Sequence, residues 1–284
     1  MEVLLDCLSC SMRQLLDAAR MSTDDKQLQT TIMDEGIAML ATYKSYRNSP
    51  ELCRAMHGIV EKYTGNNDPY KPIKDRDVEA ALKLYPMLKH YAEDGDRLHR
   101  ALKVSATGNV IDSAVNSQLS IESCVQHELQ KAFAICDEAE LRKKLKKAKT
   151  LLFVGDNAGE TVFDRVLLET LAPMEIGYAV RSKPTLNDAT PAEAIASGLD
   201  RCARIIPSGS DMPGINLDEA TEEFQRAFWE SDIVICKGQG NFETLSESGR
   251  DAFFLLKAKC PVLARLIGVG LGDYVFRYLP GEKR

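Results

Sequence analysis

The chain has 284 residues, 44% of them apolar and 27% charged, which is enough for one large domain or for a domain with an appended module. A net charge of −6 and a pI near 5.4 argue against an electrostatic grip on nucleic acid, yet leave room for a local basic pocket that takes a small anion. The apolar runs fall far short of a membrane span, no basic region precedes the first of them, and eight scattered cysteines fit thiols in a reducing cytoplasm.

In chain order, "CLSC" comes first and puts Cys7 and Cys10 on one helix face. Two readings stand there: packing thiols, or half of a structural metal or redox site that Cys53 and His57 of "CRAMH" would complete. Helical periodicity follows. "TIMDEGIAMLATYKSY" carries Met33, Ile37, Leu40 and Ala41 as an apolar stripe, and "ELCRAMHGIVEKY" carries Leu52, Met56, Ile59, Val60 and Tyr63. "TGNNDPYKP" at 64–72 breaks the pattern, and one helix is expected from Lys74 to Val104, with Pro86 as a kink point. His90, His99 and His127 are lone residues in helical stretches, read as surface or satisfied core positions. "ELRKKLKKAKT" at 140–150 reads as the solvated end of a helix, where lysines also suit the dipole.

After residue 150 the pattern alternates. Short aliphatic runs at Leu151–Val154, Ile176–Val180, Ala203–Ile206, Asp232–Cys236 and Val262–Ile267 predict five strands separated mostly by helices. Alternation of this kind implies an α/β fold with a mostly parallel, Rossmann-like sheet flanked by helices, preceded by a helical N-terminal region; the boundary is drawn at 149/150. Trp229, beside Phe224 and Phe228, reads as core.

In such sheets ligands sit beyond the carboxyl ends of the strands. Four of the predicted strands are followed by unusual polar residues: Asp156 and Asn157; Arg181, Asn187 and Asp188; Ser208, Gly209, Ser210 and Asp211; and Lys237 to Glu243. Asp156, Asn157 and Asp188 offer oxygen ligands suited to a hard divalent ion, Mg²⁺ or Mn²⁺ first, with Co²⁺ or Ni²⁺ as alternatives. Thr190, Pro191 and Glu193 form a capping-box helix start directly after Asp188. Lys237, Arg181 and the amides around Gly209 and Gly238 are donors for phosphate oxygens. "GDNAGET" is not a P-loop, because three residues instead of four separate its glycines and Glu160 stands where the lysine belongs. "GQGNFE" has Glu243 in place of the third glycine of a dinucleotide fingerprint.

The set "GNVID" (108–112), "GDNAGE" (155–160), "RSKPTLND" (181–188), "SGSDMPG" (208–214) and "KGQGNFE" (237–243) resembles the damage-control phosphatases, the domain-of-unknown-function 89 group. "CLSC" and the chain length look like the family's prokaryotic branch. The resemblance implies that Asp156, Asn157 and Asp188 bind a divalent metal and that Asn109 and Asp112 of "GNVID" face the active site. It also implies a substrate that is a small phosphorylated metabolite, damaged or surplus. The reading is a cytoplasmic, metal-dependent phosphomonoesterase with no nucleic-acid or membrane partner. Asp156, Lys237 and Glu160 are expected to be catalytic; Asn109, Asp112, Arg181, Ser208, Gly209, Asp211 and Gly238 are expected to bind substrate. Lys237 in particular is expected to project over the sheet edge toward Asp156 and Asp188. Glu160, Asp112 and Glu243 are the candidate bases, and whether water or Asp156 attacks is left open. The alternatives are a non-catalytic metal- or nucleotide-binding protein and, with no glycine-rich loop to support it, a methyltransferase. Sequence does not set the oligomeric state.

Overall fold

A computed structural model describes residues 1–110 and 120–282. The first three helices, α1 (Leu5–Ser22), α2 (Lys26–Leu40) and α3 (Ser49–Thr64), close a small core of their own around Leu15, Ile32, Leu52 and Met56. The stripe expected on α2 is rotated: Ile32 and Gly36 are buried, and Ile37 points to solvent. The single helix expected next is two, α4 (Lys71–Glu93) and α5 (Arg97–Thr107). Gly95 takes a left-handed φ of 84° between them, and the Asp96 side chain caps α5 by accepting from the His99 amide. α4 itself runs through Pro86.

Seven strands form one sheet: β1 (Phe133–Cys136), β2 (Thr150–Val154), β3 (Glu175–Val180), β4 (Arg204–Pro207), β5 (Ile233–Lys237), β6 (Ala252–Lys257) and β7 (Tyr274–Leu279). Their order is β1-β7-β6-β5-β2-β3-β4. β5, β2, β3 and β4 are parallel, as expected; β6, β7 and β1 are strands not expected from the sequence, with β6 parallel to β5, β7 antiparallel to β6 and β1 parallel to β7. The sheet thus takes an edge strand from before residue 150, between α6 (Ile121–Leu129) and α7 (Glu138–Leu145).

α4 and α5, with α8 (Thr161–Thr170), cover one face of the sheet in a single apolar core with Phe153, Tyr178 and Phe253. After α9 (Pro191–Ala196), the helices α10 (Glu222–Glu230), α11 (Gly238–Leu245) and α12 (Pro261–Ile267) cover the other face. The fifth expected strand, Val262–Ile267, is α12. Pro261 opens it in the first turn, Gly268 ends it at φ 83°, and Arg265 and Leu266 face water between buried Ala264 and Ile267. Trp229 lies at the rim of its core, 36% exposed, with its ring edge against Phe228. Among the described residues no helix is long and apolar enough to cross a membrane.

Candidate active site

β2 and β5 are neighbours from which the chain winds outward in opposite directions, so the loops after them flank the switch point of the sheet. Asp156 and Asn157 leave β2 there, and Gly238 leaves β5. The Asp188 loop is laced onto the first of these by main-chain bonds. Ala158 N donates to Asn187 O (2.8 Å), Ala189 N donates to Asp156 O (2.8 Å), and Asn157 and Asp188 form an antiparallel bridge. α9 then starts rigidly: the expected Thr190–Glu193 capping box is in place, with Glu193 Oε2 accepting from the Thr190 amide at 2.9 Å.

Two carboxylates and a guanidinium meet in this space. Arg181 Nε donates to Asp188 Oδ2 at 2.7 Å, and its Nη1 donates to Asn241 Oδ1 at 3.2 Å. Its Nη2 has no hydrogen-bond partner among the described residues and lies 3.7 Å from Asp156 Oδ1. Gly238 closes the other side. Its φ is 78°, and a Cβ there would overlap Asp156 Oδ2, so only glycine lets this backbone approach the carboxylate.

Beneath lies a second, fully buried layer. Glu160 Oε1 accepts from Asn109 Nδ2 (2.7 Å) and Asn157 Nδ2 (3.0 Å), while its Oε2 faces Lys237 Nζ at 2.8 Å. Lys237 Nζ also donates to Asp164 Oδ1 (2.7 Å) and Ser105 O (2.7 Å), and Tyr178 donates to Asp164 Oδ2 at 2.9 Å. The expected orientation of Lys237 is therefore corrected. Its ammonium turns to Glu160, Asp164 and α5, not to Asp156 and Asp188, because those acids and a carbonyl give it a complete set of partners inside the core. Burial alone would lower this ammonium's pKa; the Asp164 and Glu160 carboxylates outweigh that and raise it.

The charge balance is uneven. Of the four acids here Glu160, Asp164 and Asp188 are buried and Asp156 is nearly so, and among the described residues Arg181 and Lys237 are the buried cations that touch them. Lys74 is engaged by Asp68 and Glu193, and Lys259 is exposed. Two negative charges are left over. Burial, then the charges of Asp188 and Glu160, hold the Asp156 carboxyl well above its ordinary range; burial also raises Asp188, with Arg181 opposing.

The other expected site residues divide. Asn109 is in the buried layer. Ser208 and Gly209 instead build their own loop: Ser208 Oγ accepts from the Ser210 amide (3.2 Å), and Gly209 N donates to Ser182 Oγ (2.6 Å). Asp211 pairs with Arg54 at 3.1 Å on the rim of a cleft. Asp112 lies outside the described residues. Glu243 is close to Cys10, and burial lifts its carboxyl to about 7. Cys7, Cys10, Cys53 and His57 do not converge at ligand spacing; among the described residues the only such group of three or more is elsewhere. Asn241 was not anticipated. Its Nδ2 donates to Gly155 O (2.9 Å) and Lys237 O (2.7 Å), tying the ends of β2 and β5 together. Asp164 was missed too, although an acid four residues after Glu160 on an apolar helix face is a visible signal.

The cleft, about 350 Å³, lies beside this site between α3, the 65–70 loop and the 182–186 loop. Arg54, His57, Asp68, Tyr70, Lys183 and Thr185 line it. His57 Nε2, Asp68 Oδ1 and Thr185 Oγ1 are buried without hydrogen-bond partners among the described residues.

The sequence profile of the damage-control phosphatase ARMT1-like domain matches residues 3–275. An uncharacterized protein of Methanocaldococcus jannaschii is 36% identical over 95% of this chain and 93% of its own length. A damage-control phosphatase of Pyrococcus horikoshii is 34% identical over 97% of both chains. The crystal structure of a domain-of-unknown-function 89 protein from that organism superposes with a TM-score of 0.89 at 32% identity, covering 99% of this chain and all of the other. With a profile match over nearly its whole length and a damage-control phosphatase 34% identical over 97% of both chains, the chain belongs to the damage-control phosphatase ARMT1-like family.

Proposed function

We propose that this chain is a metal-dependent phosphatase of small phosphorylated metabolites, damaged or surplus ones included. The observation that carries this reading is the formal excess of two carboxylates over their paired cations at and directly beneath the switch point, which a single divalent cation would neutralise. Asp156, Asn157 and Asp188 would hold that ion through oxygen, a donor set suited to Mg²⁺ or Mn²⁺. When bound, the ion supplies charge neutralisation and orientation at a phosphate oxygen.

The chain's own groups do the rest. Arg181 Nη2, without a hydrogen-bond partner among the described residues and 3.7 Å from Asp156 Oδ1, would be the donor to an equatorial phosphate oxygen. Gly238 keeps the wall thin enough for a phosphoryl group to approach Asp156. Glu160 and Lys237 act as positioning residues: paired with each other below the surface, they hold Asn157 and Asn109 in place through Glu160 Oε1. The organic part of the substrate enters the polar cleft, where His57, Asp68 and Thr185 offer unpaired atoms to hydroxyl or amide groups. A cytoplasmic setting suits eight free thiols, and the acidic surface balance suits a metabolite better than nucleic acid.

The test is a panel of phosphorylated metabolites assayed for phosphate release with Mg²⁺, Mn²⁺, Co²⁺ or Ni²⁺ and with chelator. Turnover that appears only with metal and disappears in Asp188→Ala supports the proposal. Metal binding without turnover on any substrate would favour a non-catalytic binding protein, and turnover in chelator would remove the metal from the reaction.

A further inference from the structure

Among the described residues, His99 on α5, Cys136 at the end of β1 and Glu138 at the start of α7 bring one ligand atom each to within 4.8 Å of one another. Cys136 pairs with Phe276 on the outermost strand, and β7, β6 and β5 separate that strand from β2, so this group lies at the β1 edge of the sheet, apart from Asp156. In the sequence His99 reads as a lone helix residue, because its partners lie 37 and 39 positions away.

The three side chains are already oriented. Glu138 Oε2 lies 2.6 Å from His99 Nδ1. Its Oε1 is held by Arg142 Nε at 2.7 Å, and Arg142 is itself anchored on Asp96 at 2.5 Å. The edge of Phe133 meets the His99 ring at 6.1 Å and 82°, which fixes its plane. Asp96, Asp137 and Glu138 stand in this corner with Arg142, and the Lys103 ammonium lies near Cys136.

We infer that His99 Nδ1, Cys136 Sγ and Glu138 Oε2 form a second metal site, distinct from the oxygen-ligand site, for one thiophilic divalent ion, and that zinc is the best fit. A nitrogen, a sulfur and an oxygen donor with water in the fourth position is a tetrahedral zinc set, with bonds of about 2.0–2.3 Å. Donors at those bond lengths stand about 3–4 Å apart, so closing the present spacing takes side-chain adjustments of roughly 1 Å. The ion replaces the proton shared by His99 and Glu138 and expels the Cys136 thiol proton, so binding releases protons. The Arg142–Glu138 contact supplies the outer support such ligands need. The clamp joins α5, β1 and α7, and its expected effect is stabilisation of that corner.

The experiment titrates the full chain with Co²⁺, follows thiolate-to-cobalt charge-transfer absorption, and then displaces the ion with Zn²⁺. One equivalent should develop the band and Zn²⁺ should remove it. Cys136→Ser should abolish the band, His99→Ala should weaken binding at least about tenfold, and Cys7→Ser with Cys10→Ser should leave it intact. His99 and Cys136 are exposed, so these variants keep the fold, which circular dichroism checks. Zn²⁺ should also raise the melting temperature of the parent chain and not that of Cys136→Ser. Absence of a thiolate band in the parent chain, or a band that survives Cys136→Ser, overturns the site.

Discussion

Asp156→Asn should make the metal-free protein more stable while removing its response to metal. In the folded chain Arg181 Nη2 stands 3.7 Å from Asp156 Oδ1, an attraction of about 4 kcal/mol at an effective dielectric of 20. The carboxyl is nevertheless held well above its ordinary range, so burial together with Asp188 and Glu160 outweighs that attraction. The sign for stability follows. A carboxyl raised in the folded state binds its proton more tightly there than in the unfolded chain, and it costs stability increasingly as pH rises through its folded value. Replacing it with a neutral isostere removes that cost, a gain on the order of 1–3 kcal/mol in chelator near pH 8. With metal present the order reverses. An ion at 100 times its dissociation constant stabilises the parent by about 2.7 kcal/mol, and the variant, having lost one of two carboxylate ligands, should show little of that. Urea unfolding at pH 8, with EDTA and with excess Mn²⁺, measures both. A variant less stable than the parent in EDTA, or one with an undiminished Mn²⁺ shift, would refute the charge-excess argument.

Lys237→Met should cost about 3–5 kcal/mol, since it leaves Asp164 and Glu160 buried without their cation; a large loss of kcat at unchanged urea midpoint would instead put Lys237 on the substrate. Gly238→Ala combines a left-handed φ with a Cβ overlapping Asp156. It should lower kcat by about 10²-fold with only a modest loss of stability, and near-parent kcat would show that Asp156 need not be held there. Burial depresses His57 to about 4, so stability present above about pH 6.5 should be lost as pH falls toward 4. The loss amounts to about 2 kcal/mol by pH 5, His57→Gln should remove that slope, and equal slopes in parent and variant urea titrations would contradict it.

How much of this was legible depended on whether a residue's partner lay nearby in sequence. The strands before Asp156, Arg181, Ser208 and Lys237 each announce themselves by a short aliphatic run, and the convergence of their loops follows from parallel topology alone. The Thr190–Glu193 box is local and was read correctly. "VLARLI" and "AFFLLK" are both short apolar runs, which periodicity cannot separate; Pro261 and Gly268 around the first were the better guide to a helix. The direction of Lys237 was not readable, because its carbonyl partner Ser105 lies 132 residues away and Asp164 lies 73 away. The charge excess emerges only once those pairings are known.

The same pairings say what the helical half contributes. α5 supplies Ser105, which accepts from Lys237, and leads to Asn109, which donates to Glu160; without them the second layer under Asp156 and Asn157 has no floor. α4 supplies Lys74, wholly buried, whose ammonium lies 2.7 Å from Asp68 and 3.3 Å from Glu193. Glu193 caps the helix that starts three residues after the metal-ligand candidate Asp188, while Asp68 lines the cleft and its other oxygen has no hydrogen-bond partner among the described residues. One buried lysine thus bridges the wall that would read the organic part of a substrate and the loop that would hold the ion. Since a buried ion triad is a poor source of net stability, its physical advantage here is registry. It fixes the distance between the recognition cleft and the reacting centre, and an error of about 1 Å in that distance is costly in rate.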